Sequence, residues 1–364
     1  LSAGFWLNLA ARPVDPHDAP LPFQVRDIPP AARPGGAPPR YRVLQVGDSP
    51  RIVDASGRTV VLRGVSVGLP GDPPPHRPLG DSPRDALARL SAMGVNALRV
   101  PVSWDSLERP DGAIDVDRVR YLIDLLDAAR GFDMLVVLAL DHDGLPGGIG
   151  NGGQPERSLR RGRLTLGGPS GSGLYDRFRM LPHQMRWWAD FRDGMWSWDD
   201  RTLQDHLIDA WARLGGLLRV HPALLGVSPL HDPVCFPGVF GDVFDPGVRP
   251  CAEAIGDFQT HFFAAFRAFN ADALAFLEPP VSGLPRCPGR REVDWTPPPI
   301  PGAVLSMTQS PRPEDSAVHP VAVLDAAATF AGTRNLPFVL AEAVPEASGE
   351  AGSPVAPHMW IAAL

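Results

Sequence analysis

A single eight-stranded α/β barrel, the (β/α)8 or TIM-barrel class, behind a Pro-rich extended N-terminal arm is the fold this sequence predicts. Three observations lead to it. From Val60 onward eight β-rich runs alternate with mostly helical ones, the signature of a parallel sheet. The chain has 364 residues, 44% hydrophobic and 21% charged, which is enough for one large domain. A barrel of this class needs about 250 residues plus insertions. The alternative, an open doubly wound sheet, lacks support because no Gly-rich fingerprint follows the first strand.

Residues 1–50 read as the arm and 51–364 as the barrel. Leu1 to Ala11 is apolar with small residues and opens without methionine. It fits the remnant of a signal peptide or membrane anchor as well as a short apolar arm packed on the domain. Residues 12–40 are rich in Pro, Ala, Arg and Gly without a period, and are expected to run extended over the barrel or onto a neighbour. RIVDASGRTVVLRGVSVG gives two β-rich runs around the Ser56-Gly57 turn, a hairpin leading into a core strand. DSPRDALARLSAMG has a polar cap, Pro83 early and Gly94 at its close, the marks of a helix. NALRVPVSW is the second strand, VDRVRYLIDLLDAARG a helix and MLVVLAL a fully buried third strand.

Residues 141–200 are Gly-, Arg- and Trp-rich and too long for a simple connection, so they read as a functional insertion. TLQDHLIDAWARLGGLLRV is then a helix, ALLGVSPL the fourth strand, Ala254 to Asn270 a helix and ALAFLEPP the fifth strand. Ala303 to Met307, a helix from Val321 to Thr333, PFVLAEA and HMWIAAL complete the pass. If HMWIAAL is the eighth strand, the outer helix that should follow it is missing. A parallel sheet buries both faces, so the arm, a partner chain or a further C-terminal stretch should cover that seam.

Composition excludes several classes of function. All 34 basic residues are arginine against 41 acids, a net charge of -7. An acidic chain is a poor nucleic-acid binder. Without lysine there is no Schiff-base or phosphate-loop lysine chemistry, and nothing in the pattern asks for a cofactor. No run of eighteen apolar residues is present. Of three cysteines, Cys235 and Cys251 are close enough in one loop-like stretch for a single bridge in an oxidising compartment, leaving Cys287 free.

In a barrel of this class the chemistry lies at the C-terminal ends of the strands. Those ends carry Arg99 and Trp104 after the second strand, and Asp141, His142 and Asp143 after the third. His231 and Asp232 follow the fourth, Glu278 the fifth and Glu342 the seventh. A ring of carboxylates around one mouth suits glycosidic bond cleavage: one carboxyl protonates the leaving oxygen while a second attacks or activates water. Buried acids beside arginine are also ordinary structural ion pairs.

These segments resemble glycoside hydrolase family 5, of the cellulase superfamily, and within it the endoglycoceramidase-like branch. LSAMGVNALRVPVSWDSLERPDG is similar to the segment with the family's arginine, here Arg99. RIVDASGRTVVLRGVSV, the Gly150-Asn151-Gly152 loop, LQDHLIDAWARLGGLLRVHPALLGVSPLHDP, AFLEPP and PFVLAEA fall in the family's order, over residues 51–345. The resemblance implies a retaining hydrolase of O-glycosidic bonds in glycolipids or oligosaccharides, with Glu342 as nucleophile and Asp232 as acid/base. It implies substrate binding by Arg99, Asp141, His142, Asp143, His231 and Trp360, and an extracytoplasmic location.

The departures from the family are specific. Its fourth strand ends Asn-Glu-Pro, whereas here the residues are His231-Asp232-Pro233. Aspartate is shorter than glutamate by one carbon–carbon bond, about 1.5 Å. A His-Gln-Asp pattern becomes Asp141-His142-Asp143, and Met307-Thr308-Gln309 stands where a His and a Tyr are expected. The short Asp232 should leave its carboxyl further from Glu342 than the retaining separation of about 5–5.5 Å. Arg99 is expected beside Glu342, holding it ionised. The clustered His and Asp have the donor chemistry of a metal site, but read better as hydrogen-bonding groups around a sugar. Trp187, Trp188, Trp196 and Trp198 suit lid packing or sugar stacking. The rival to the enzyme is a catalytically inactive barrel, serving as a carbohydrate-binding or structural subunit of a larger extracytoplasmic or membrane-associated assembly.

Overall fold

The computed structural model describes residues 40–69, 79, 83–109, 111–140, 191, 201–218, 220–231, 233–235, 251–282, 291–292, 295–309, 328–343 and 359–361. At 234–235, 281–282, 291–292, 308–309, 342–343 and 359–361 the description is of the backbone alone. The first element is a hairpin of β1 (Tyr41–Val46) and β2 (Ser49–Asp54), turned at Gly47 with φ 61°, a backbone state glycine adopts without cost. Residues 41–50, expected at the end of the arm, are therefore ordered strand and turn. Their sequence hides this, because YRVLQV shows no alternation and its exposure simply rises along the strand. The predicted Ser56-Gly57 turn does form, but it brings back only Thr59, as a single bridge to Val53. Hydrogen bonds from the Ser56 hydroxyl and from Arg58 hold the Asp54 carboxyl of that turn well below the usual carboxylate range.

The barrel begins with β3 (Arg63–Ser66), followed by α1 (Pro83–Ala92) and β4 (Ala97–Val102). A short α2 (Trp104–Leu107), then α3 (Val116–Arg130) and β5 (Leu135–Leu140) come next. Asp115 caps α3, its carboxylate accepting from the Asp117 and Arg118 amides, both at 3.0 Å. Beyond the insertion lie α4 (Leu203–Leu218), β6 (Leu224–Ser228), a two-residue β7 (Val234–Cys235) and α5 (Cys251–Arg267). The chain continues through β8 (Leu274–Leu277), β9 (Val281–Ser282), β10 (Arg291–Glu292) and β11 (Ala303–Gln309). Residues 328–333 are helical and precede β12 (Phe338–Ala343) and β13 (Met359–Ile361).

Eight strands close into a barrel in the order β11-β12-β13-β3-β4-β5-β6-β8. Every pairing among β11, β12, β8, β6, β5, β4 and β3 is parallel, as the alternation predicts. The eighth stave differs: β13 runs antiparallel to both β12 and β3. Met359–Ile361 of the run HMWIAAL thus fills the seam, but in reverse, an antiparallel arrangement that needs no crossover helix.

All six residues of β4 and of β5 are buried, so these strands are covered on both faces. Side chains alternate between two clusters. Leu98, Val100, Val102, Val136, Leu138 and Leu277 face the helices, whereas Ala97, Leu135, Val137, Leu274, Phe276 and Val304 fill the interior. Ile52 of β2 joins the interior cluster among residues that start the strands, so the hairpin plugs the N-terminal end of the barrel. Outside, α4 and α5 meet along an aromatic seam, with Trp211 edge-on to Phe262 at 5.6 Å and Phe262 stacked on Phe266 at 6.0 Å. Phe191 of the insertion closes edge-on against Phe258 at 4.8 Å, and Gln204 donates to its carbonyl at 2.7 Å. Each such aromatic pair adds about 0.5–1.5 kcal/mol beyond its buried area.

β6 and β8 approach each other most closely at Gly226. A Cβ there would lie 2.3 Å from the Leu274 carbonyl oxygen and 2.8 Å from the Phe276 ring. Neither a backbone atom nor a core ring can yield without moving a strand. Gly226→Ala is expected to destabilise the barrel by about 1–3 kcal/mol, the usual cost of overpacking. Denaturant unfolding of the two proteins checks this. An unchanged midpoint would show that the strands can part freely.

Candidate active site

Arg99 shares the parity of Ala97 on β4 and so lies on the interior side of the wall. It is only 2% exposed. Its Nη2 lies 3.0 Å from Nδ1 of His231, three residues past the end of β6. The same nitrogen lies 3.4 Å from Oε1 and 3.3 Å from Oε2 of Glu278, the first residue after β8. His231 is 6% exposed and Glu278 1%. From α5, the fully buried Gln259 donates to the Glu278 carbonyl at 3.5 Å.

Burying an ionised carboxylate is expensive unless opposite charge and hydrogen bonds compensate it. Here a permanently charged guanidinium and an imidazole converge beside it. The proton on Nδ1 is the variable. Without it the nitrogen accepts from Arg99; with it the nitrogen donates to Glu278.

Backbone geometry explains why these residues meet. Past the mouth, β7 pairs in parallel with β9, and β9 pairs antiparallel with β10, forming a small sheet that the sequence pattern does not predict. In the barrel Val227 is level with Ala275, and in the rim Val234 is level with Val281. The two ladders therefore bracket the His231 segment on one strand and Glu278 on the other. The β6 side carries one residue more between them, a bulge-like excess of the kind that re-aims side chains near active sites.

Of the other residues expected in the site, Glu342 is the penultimate residue of β12, paired with Thr308, at the strand end that faces the same mouth. Its side chain, and with it the expected contact to Arg99, lies outside the described residues, as do Asp232, Asp141, His142, Asp143 and the insertion tryptophans. So does the separation of Asp232 from Glu342. Trp360 stands level with Gly64, which is itself level with Ala97. That register is two positions nearer the strand starts than Arg99. Trp104 is spent elsewhere: it is 1% exposed and its indole N–H donates to Glu108 at 2.7 Å, while Arg213 pairs with the other Glu108 oxygen. Cys251 is disulfide-bonded. Glu278 stood out in the sequence only as one strand-end carboxylate among several. The signal that it belongs to the site is its place immediately after the apolar run LAFL, which fixes both its burial and its height.

No protein-family model matches the chain. Endoglycoceramidase I of Rhodococcus hoagii is 29% identical over 244 residues, covering 65% of this chain and 46% of that protein. A crystal structure of an endogalactoceramidase superposes with a TM-score of 0.57 at 26% identity, over 84% of this chain and 68% of that one. The chain is similar to endoglycoceramidases in sequence and in fold. Endo-glycoceramidase II from Rhodococcus sp., in complex with a cellobiose-like imidazole, has the same fold, with a TM-score of 0.58 at 19% identity over 80% of this chain and 68% of that one. The endoglycoceramidase-like barrel thus matches a stretch spanning under half the length of the curated relative named above.

In this endoglycoceramidase-like barrel Arg99 is the fixed cation of the mouth. Arg99→Met should destabilise the fold by about 1.5–3 kcal/mol, because it removes a charged donor from the buried His231–Glu278 pair. The double variant Arg99→Met, Glu278→Gln should lose less than the single one, as measured by urea unfolding. Simple additivity of the two changes would mean that the groups do not share one electrostatic cluster.

Proposed function

We propose that this chain is a retaining glycoside hydrolase that releases the glycan from a glycolipid, with Glu342 as nucleophile and Asp232 as acid/base. The observation that carries the reading is the buried Arg99–His231–Glu278 cluster at the same mouth to which the end of β12, with Glu342, also points. It is supported by the names of the relatives, which include a Rhodococcus endo-glycoceramidase II described as a lactosyl-enzyme intermediate and as a ganglioside GM3 complex. Glu342 attacks the anomeric carbon while Asp232 gives its proton to the departing ceramide oxygen. Asp232 then takes a proton from the water that hydrolyses the glycosyl-enzyme bond. The disulfide at Cys251 supports an oxidising, extracytoplasmic setting. No helix among the described residues is long and apolar enough to cross a membrane.

The second reading, a barrel that binds glycans without cleaving them, is favoured by one observation, the shortened acid Asp232. A displacement of about 1 Å in a catalytic group costs on the order of a hundredfold in rate. A 2-fluoro-lactosyl fluoride separates the two readings. The hydrolase is expected to form a covalent adduct that peptide mapping places on Glu342 and that Glu342→Gln abolishes. Asp232→Glu should raise kcat on an aryl β-lactoside by about 10–100-fold. Saturable binding of GM3 with neither adduct nor turnover would replace the enzyme with the binding barrel.

A further inference from the structure

We propose that Glu278 is a positioning residue: it fixes the imidazole of His231 and, through that ring, the stretch of chain that links β6 to β7 at the mouth. This rests on the hydrolase reading of the same mouth. Three independent features of the structure converge on it. The first is contact, with both carboxylate oxygens within 3.4 Å of Nδ1 and both residues buried. The second is register. The β6–β8 ladder below and the β7–β9 ladder above tie the two segments together, so a shift of Glu278 is passed on to the chain between Ser228 and Val234. The third is rigidity on the far side, where Gln259 of α5 holds the Glu278 carbonyl and Gly226 lets β8 come close to β6.

A side chain that merely filled this space would be replaced by glutamine at little cost, since volume and an acceptor oxygen are kept. The negative charge is what glutamine lacks, and the charge competes with Arg99 for the state of Nδ1. Both groups meet the ring at the same nitrogen, so the carboxylate favours the proton on Nδ1 and the guanidinium favours its absence, and removing the carboxylate charge leaves that choice to Arg99 alone. The expectation is therefore a loss in kcat with little change in KM, because Glu278 itself does not touch substrate.

The experiment uses the full chain and two readouts. On an aryl β-lactoside, Glu278→Gln is expected to lower kcat by about 10–100-fold with KM within about twofold of the unmodified protein. In a His231→Asn background the same change should cost no more than about twofold, because the ring it acts through is gone. The second readout is independent of turnover: with ¹⁵N-labelled histidine, the His231 ring signals, assigned by their loss in His231→Asn, should move in Glu278→Gln. An equal loss in both backgrounds would overturn the proposal, as would an unchanged kcat or unmoved ring signals. If the unmodified protein cleaves nothing, the hydrolase reading falls on its own. The ring signals then still decide whether Glu278 governs His231.

Discussion

A strand buried on both faces has room for polar chemistry only at its ends, and this constraint governs the layout of the whole barrel. The helix-facing side chains and the interior of the barrel are both apolar, and the hairpin plug adds Ile52 at the bottom. Arg99 is a permanent cation inside the wall before its strand has ended. A guanidinium in that place needs acceptors, and the strand ends after β6 and β8 bring two polar groups to it and to each other. His231 and Glu278 are what the chain supplies. The cluster follows from the wall.

The distance between those two strand ends is set below them. Gly226 has no Cβ, so the Leu274 carbonyl and the Phe276 ring can occupy the space one would need. Above the mouth the β7–β9 pair repeats the parallel pairing, offset by the single extra residue on the β6 side. The His231 segment is therefore anchored at both ends on the same neighbour. A loop held in this way differs from an ordinary strand-to-helix connection, which is tied at one end only. This anchoring fixes the stretch on which His231 lies.

The strands and helices were legible in the sequence because a parallel barrel writes each element as an apolar run or a 3.6-residue period. LVVLAL, LAFL and FVLAEA are strands where the pattern puts them. Direction was not legible at the last one. HMWIAAL reads as a strand whichever way it runs, and only its partners make β13 antiparallel. The rim sheet was invisible for another reason: two-residue strands such as Val234–Cys235 have no periodicity to detect. At the site, Arg99 and His231 could be named from the family resemblance. The role of Glu278 could not, because it depends on the register between two strands distant in sequence. Trp104 misleads in the opposite direction, since only its bond to Glu108 reveals that the indole serves the outer wall.

The pair at the end of the fourth strand is best understood as one change. The family's Asn-Glu and the His231-Asp232 found here exchange length between neighbours: the first position gains a ring and the second loses a carbon. An asparagine amide would reach the substrate directly. The His231 imidazole instead has its Nδ1 turned to Arg99 and Glu278, within a cluster that the protein closes on itself. What the position gives up as a substrate contact it gains as a fixed point beside the acid. The backbone of this stretch is held by the His231–Glu278 contact and by the ladders on either side. In the hydrolase reading proposed above the two departures from the family pattern belong together, the ring at the first position bracing the chain that carries the shorter second residue.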